Sequence, residues 1–348
     1  PPRPPESCYS CAIACSDPLH SSMSTPRVLC LGEILFDFLS AQPGLPYDQV
    51  TAWTPYPGGA PANVACALTK LGTPGAFIGC VGQDERGNAL VDVLAAVGVN
   101  IEGVQRHPTA PSRGVYVVRS ETGDRSFAGF GDTDTADFAD AQLNAAHLPI
   151  KLFETADFLV LGTLEMAYLN SREATLQALS LADKFFTKVL LDVNWRPVFW
   201  QDEAKALELI QTMMPQADFL KVSDEEAEWL FGTTDPSSIA KQLGDLDGVL
   251  VTAGEKGCFY DLAGHQGYLP AFDIAVVDTT GAGDSFVAGF LHQLCQQGVG
   301  CIQTAAGAHQ VVTYASAVGA LTTMQAGAIA AQPTPAAVAE FLQTYGQA

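Results

Sequence analysis

From Val28 onward the chain alternates short runs that are apolar throughout with stretches in which apolar residues recur every three or four positions. Fully apolar runs bounded by turn signals fit strands buried on both faces, whereas the longer spacing marks one face of a helix. The pattern predicts strands at Val28 to Leu31, Ala76 to Val81, Asp157 to Leu161, Val189 to Val193, Asp218 to Val222 and Gly248 to Thr252. Between them Leu90, Val93, Leu94 and Val97 mark one helical face, and Ser171 to Lys184, Asp202 to Met214 and Asp224 to Phe231 read as further helices. Apolar strands separated by helices imply an α/β fold with a mostly parallel, doubly wound sheet and helices on both faces.

Two regions, about 34–56 and 100–130, interrupt this rhythm with alternating stretches such as Val115-Tyr116-Val117-Val118-Arg119, turn signals and little helix. They predict a small antiparallel sheet projecting from the main body. Its open edges make a homodimer through that sheet an expectation. The tail from Ala326 reads as a loop followed by a last amphipathic helix.

At 348 residues, 48% apolar and 16% charged, the sequence is that of a globular protein with a sizeable core. A net charge of -21 argues against nucleic acid or an anionic membrane as partner and favours small-molecule ligands. A nucleotide's charge would have to be met locally by backbone N–H groups, a helix terminus, a metal ion or a few placed cations. No apolar run approaches the ~18 residues that span a bilayer, so a cytoplasmic protein is expected. Cys30, Cys66, Cys80, Cys258, Cys295 and Cys301 sit in apolar segments, as small buried thiols do in a reducing compartment. Cys8, Cys11 and Cys15, with His20 behind them, lie in a Pro-rich leader whose loose spacing and missing hydrophobic pattern argue against a zinc site. Residues 1–22 are expected to be an unstructured extension before Met23, and 23–348 a single domain.

The segment with most chemical content is Asp278-Thr279-Thr280-Gly281-Ala282-Gly283-Asp284-Ser285-Phe286, leading into a helix whose core face is Phe286, Val287, Phe290, Leu291 and Leu294. Small residues before a helix let its unpaired N–H groups approach an anion, and the dipole favours negative charge there. The dipole is also expected to hold the Asp284 carboxyl low. A capped loop with an ordinary first-turn Asp is the plainer reading. The pattern lacks the Gly-Lys-Ser/Thr ending of a Walker loop, and a dinucleotide fingerprint would follow an early strand, where Gly32-Glu33-Ile34-Leu35 does not supply it.

Upstream, Gly58-Gly59-Ala60-Pro61-Ala62-Asn63-Val64-Ala65 combines glycines that allow close backbone approach with a proline suited to a first helical turn and a core face of Val64, Leu68 and Leu71. Asn63 offers both donor and acceptor to sugar hydroxyls, or else caps the helix.

These two segments resemble the N-terminal and C-terminal signatures of the ribokinase/PfkB family of sugar kinases, in the right order and over 200 residues apart. The resemblance covers Arg27 to Leu342 and implies a ribokinase-like fold in which the alternating segments are the β lid. It implies ATP and Mg²⁺ as cofactors, Asp284 as catalytic base, and Gly281, Ala282 and Gly283 as the backbone around the transferring phosphate. Arg196, in Asp192-Val193-Asn194-Trp195-Arg196-Pro197, would face that phosphate. Asp37, Gly58, Gly59, Asn63 and Glu165 match sugar-contacting positions. Lys221 and Ser223, in Lys221-Val222-Ser223-Asp224-Glu225-Glu226, and Thr252, Gly254 and Gly257, in Thr252-Ala253-Gly254-Glu255-Lys256-Gly257, match the nucleotide side. Glu226 would organise hydrated magnesium, although Ser223 stands where many members have Asn and a capping box explains the pair equally well. Asp278 and Thr280 match positions that in many members bind a monovalent cation such as K⁺.

Within the family the motifs look most like those of fructokinases, which implies phosphorylation of D-fructose to fructose 6-phosphate. Ribose, 2-keto-3-deoxygluconate and a nucleoside stay open, because a few lid residues can change the pocket without touching the signatures. The rival from another class is a catalytically silent interaction subunit. Such a protein need not keep Asp284, Gly281 and Gly283 together.

Overall fold

The computed structural model describes residues 25–120, 125–200, 202–244 and 246–345. The leader cysteines, His20 and Met23 therefore lie outside the described residues.

The strands in chain order are β1 (Val28–Leu31), β2 (Leu35–Ser40), β3 (Trp53–Gly58), β4 (Gly75–Gly82), β5 (Asn100–His107), β6 (Gly114–Arg119), β7 (Arg125–Gly129), β8 (Phe158–Leu161), β9 (Lys188–Asp192), β10 (Phe219–Ser223), β11 (Gly248–Thr252), β12 (Cys258–Leu262) and β13 (His265–Leu269). Nine of them form one sheet in the order β13-β12-β11-β10-β9-β8-β1-β4-β5. Pairing is parallel from β11 to β5, and β12 and β13 extend the sheet by antiparallel hairpins.

Because successive strand residues point to opposite faces, each apolar strand feeds two cores. Val28 and Cys30 join the layer of helices Ala60–Lys70, Glu85–Val97, Ala282–Gln297 and Ala305–Thr323. Leu29 and Leu31 join the opposite layer, with Leu169–Phe185, Glu203–Met213, Asp224–Phe231 and Pro236–Leu243. This is the doubly wound arrangement expected from the sequence. Every predicted strand and helix is present, with ends shifted by no more than a residue or two.

The small sheet differs from expectation in two respects. Its order is β3-β2-β6-β7, and β2 pairs with β6 in parallel, so only the outer pairs are antiparallel. Asn100–His107 is not part of it but pairs with β4 as the last strand of the main sheet. That strand reads as half-exposed because, at an edge, its side chains are covered less completely than those of the inner strands. Phe38, Tyr47, Trp53 and Tyr116 pack their rings together on the small sheet, with centroids 5.0 to 5.6 Å apart. Among the described residues no helix is long and apolar enough to cross a membrane.

Candidate active site

Strand order reverses at β1, whose neighbours β4 and β8 lead away on either side. In an open parallel sheet such a point leaves a crevice beyond the carboxyl ends of the strands. Glu33, Glu165 and Asp192 lie at or just beyond the carboxyl ends of β1, β8 and β9, and Lys221 lies mid-strand in β10. The small sheet stands over this edge. Between them is a cleft of about 570 Å³ lined in part by Asp37, Tyr56, Val117, Arg196, Asp278 and Thr280.

Helix Ala282–Gln297 enters the site from Gly281, where φ is 77° and an added Cβ would fall 2.8 Å from that of Ala328. Only glycine suits both conditions. Asp284 follows in the first turn, and its Oδ2 accepts a hydrogen bond from Asn63 Nδ2 at 2.7 Å. The capping reading of Asn63 falls: it lies inside helix Ala60–Lys70, which has no side-chain cap from its own N-cap residue. Asn63 Oδ1 is buried without a partner. The amide of Ala282 donates to Thr279 O at 3.2 Å and closes the turn before the helix.

Burial lifts the Asp284 carboxyl above the usual carboxylate range, with the Asn63 donor and the Lys221 and Arg196 cations pulling it back. The expected depression by the helix dipole is overturned: removal from water is the larger effect. Lys221 Nζ sits 3.0 Å from Asp192 Oδ1, both side chains buried. Burial opposes the lysine charge, but Asp192, Glu226 and Asp284 outweigh it and raise the Lys221 pKa. Burial also lifts Asp192 to about 6 against the pull of Lys221. An added Cβ at Gly283 would come 3.2 Å from Lys221 Nζ, so the signature glycine lets the ammonium lie against the helix start.

The remaining expected residues divide by location. Asp37 lies within β2, not in a strand-end turn, and an added Cβ at Gly58 would come 2.8 Å from its Oδ2. Gly59, with φ 107°, packs against the backbone of Glu33 and Ile34. Glu165 is 1% exposed with neither carboxylate oxygen partnered, and burial, with Glu33 nearby, raises its pKa well above the ordinary value. Arg196 is exposed on its loop and donates to Trp195 O. Asp278 Oδ1 accepts from the amide and hydroxyl of Thr280, and its Oδ2 from Gly327 N. Ser223 and Glu226 form a capping box, and Glu226 Oε1 also accepts from Trp195 N at 2.5 Å. Thr252 Oγ1 donates to Val222 O, and Gly254 and Gly257 shape the turn after β11 with positive φ.

The family model for pfkB family carbohydrate kinases covers residues 25–335. The chain belongs to this family. This pfkB kinase is 35% identical over 324 residues to "Probable fructokinase-5" of Arabidopsis thaliana, spanning 92% of this chain and 98% of the relative. A crystal structure of a fructokinase from Xylella fastidiosa with bound ATP superposes with a TM-score of 0.82 at 29% identity, covering 91% of this chain and 98% of that one. A Vibrio cholerae fructokinase double mutant holding fructose, ADP and a potassium ion gives a TM-score of 0.78 at 29% identity, with 92% and 99% covered.

Sequence reasoning missed four buried charged side chains, Glu33 and Asp192 at the candidate site and the pair Arg113 and Asp140. Glu33 and Asp192 lie inside motifs already singled out, and each was legible only as a carboxylate at a strand's carboxyl end. Arg113 and Asp140 gave no local signal. Arg113, just before β6, is fully buried, pairs with Asp140 through Nε at 2.5 Å and Nη2 at 2.8 Å, and lies among Phe130, Phe138, Tyr168 and Phe199.

Proposed function

We propose that this carbohydrate kinase is a fructokinase, transferring the γ-phosphate of ATP to the primary hydroxyl of D-fructose with Asp284 as general base. The observation that carries the reading is the 2.7 Å bond from Asn63 to Asp284, which joins side chains 221 residues apart at the wall between the expected sugar and phosphate positions.

Phosphoryl transfer needs an aligned hydroxyl and neutralised phosphate charge more than covalent help. Asn63 holds one carboxylate oxygen of Asp284 and leaves the other to take the hydroxyl proton. The pKa raised by burial makes Asp284 a stronger base than an exposed aspartate while keeping it below an alcohol, so proton transfer is late, as the oxygen–phosphorus bond forms. Asp37, Gly58, Gly59, Asn63 and Glu165 are assigned to the sugar; Lys221, Ser223, Thr252, Gly254 and Gly257 to the nucleotide side. Arg196, a cation on the cleft wall, is assigned to the transferring phosphate.

Both oxygens of Glu226 already accept backbone N–H bonds, yet a carboxylate has about four lone-pair sites, so it fits the role of orienting water on Mg²⁺ rather than ligating it directly. When bound, Mg²⁺ would neutralise phosphate oxygen charge. Asp278 and Thr280, held together by their own hydrogen bonds at the cleft wall, are assigned to K⁺.

The test is ADP release over a panel of fructose, ribose, 2-keto-3-deoxygluconate and adenosine. Fructose is expected to give the highest kcat/KM. A preference of more than about tenfold for another acceptor, the least that one methylene in a pocket commonly yields, would displace fructose and leave the kinase assignment standing.

A further inference from the structure

We infer that Glu33 is a positioning residue for phosphoryl transfer, its carboxylate capping the helix that presents Asn63 to Asp284. The inference rests on the reading of Asp284 as the base.

The first N–H groups of a helix have no partner within it. Helix Ala60–Lys70 begins after Gly59, which has no side chain to supply one. At Gly59 an added Cβ would fall 2.5 Å from Glu33 O and 2.9 Å from Ile34 Cα, so the chain leaving β1 runs directly against the helix start. That approach brings Glu33 Oε1 to 2.7 Å from Ala60 N, with Glu33 only 5% exposed. A turn further along, Asn63 N donates to Gly59 O at 2.8 Å and Asn63 Nδ2 to Asp284 Oδ2 at 2.7 Å. Three consecutive contacts thus connect Glu33 to the base, and the glycine that the motif requires is what permits the first of them.

A serine or aspartate at the N-cap would have served stability alone. Here the acceptor comes from another segment and is a buried carboxyl among carboxyls. The charged groups facing it are Asp284 from helix Ala282–Gln297, Asp140 with its counter-ion Arg113 from the turn below the small sheet, and Glu165 from the turn after β8. Burial lifts the Glu33 carboxyl to about 7, with the Ala60 amide opposing and Asp140 and Asp284 adding to the rise. Glu33 fixes the Asn63 donor with or without its proton, since a neutral carboxyl keeps an acceptor oxygen for the Ala60 amide.

The experiment compares the parent with Glu33→Gln, which keeps an acceptor oxygen, and Glu33→Ala, which does not. Each is measured for kcat, KM for fructose and ATP, the pH profile of kcat, melting temperature, and the Asn63 side-chain amide NMR resonance, assigned with Asn63→Asp. Glu33→Ala is expected to lose at least about fivefold in kcat, the size of a lost helix cap, with KM for ATP unchanged and the Asn63 resonance displaced. Glu33→Gln should recover to within about twofold by the same measure. Its acid limb should stay in place, because Glu33, lifted to about 7, is already neutral where the acid limb falls. A Glu33→Ala variant that melts earlier but turns over like the parent overturns the inference, as does a Gln variant as slow as Ala. If the parent itself does not phosphorylate fructose or the other panel acceptors, the kinase mechanism fails on its own, and an unshifted Asn63 resonance in Glu33→Ala then sinks this inference separately.

Discussion

Replacing Asp284 with Asn separates a catalytic carboxylate from a structural one, because the two roles predict opposite results. Asparagine is nearly isosteric, and its amide oxygen can still accept from Asn63 Nδ2, the 2.7 Å contact that ties the two signature helices together. The loss of a negative first-turn group costs about 0.3 to 1 kcal/mol. Against that, burial raises the Asp284 pKa, so the folded state holds its proton more tightly than the unfolded chain does. The sign follows: this group's contribution to stability is present below the unfolded aspartate pKa and is lost as pH rises through the folded value. At neutral pH the parent therefore carries a cost that the neutral amide does not, and the variant should melt close to the parent or above it. Turnover should behave quite differently. The amide cannot take the hydroxyl proton, and loss of a general base removes about 10² to 10⁴ in rate, or about 3 to 5 kcal/mol of barrier. Single-turnover phosphorylation, calorimetric ATP binding and melting measured side by side decide the matter. A folded, ATP-binding Asp284→Asn that phosphorylates sugar within about threefold of the parent, too little for a lost base, would make Asp284 a helix-end residue and refute the mechanism.

Asp37→Ala should lower kcat/KM for fructose by about 10- to 100-fold, the range of a hydrogen bond to a charged group, with calorimetric ATP binding unchanged; an equal loss of ATP affinity would mean a general defect of the cleft. Arg113→Met should destabilise the fold by about 3 to 5 kcal/mol by stranding Asp140 in the interior, and the double variant Arg113→Met, Asp140→Leu should recover most of that in denaturant melts. A double variant no more stable than the single one would show that the arginine acts through its aromatic neighbours instead.

What could be read from the sequence depended on how locally each feature is encoded. The main sheet was legible because its inner strands are apolar on both faces and its helices carry one apolar side. Asn100–His107 was misplaced because an edge strand of the main sheet and a strand of a projecting sheet present the same half-covered pattern. The parallel pairing of β2 with β6 has no local signal, since it joins segments separated by three strands, β3, β4 and β5, and two α-helices. Asp284, Asn63 and the signature glycines could be found because helix starts and close backbone approaches demand particular residue types. The direction of the Asp284 pKa could not. It depends on how far the folded chain withdraws the carboxylate from water, which no local pattern encodes.

The electrostatics of the site follow from the composition of the whole chain. Cations are scarce in a protein of net charge -21, and around Asp284 the acids Glu33, Glu165, Asp192 and Glu226 face Lys221 and Arg196. Lys221 is already paired with Asp192, so its charge offers less to a phosphate than an unpaired lysine would. A triphosphate entering this cleft thus meets more negative than positive side chains. Its binding must draw on backbone N–H groups at a helix start and on ions that arrive with it. Burial, with neighbouring acids adding to it, lifts Asp192 to about 6 and Glu33 to about 7. ATP–Mg²⁺ remains a net anion, and a like charge brought close favours the protonated form of these groups. Nucleotide binding and protonation of the site should therefore be coupled. ATP–Mg²⁺ titrated by calorimetry near pH 7 in buffers of different ionisation enthalpy should take up protons, and strictly proton-neutral binding would show that these carboxyls do not sense the ligand.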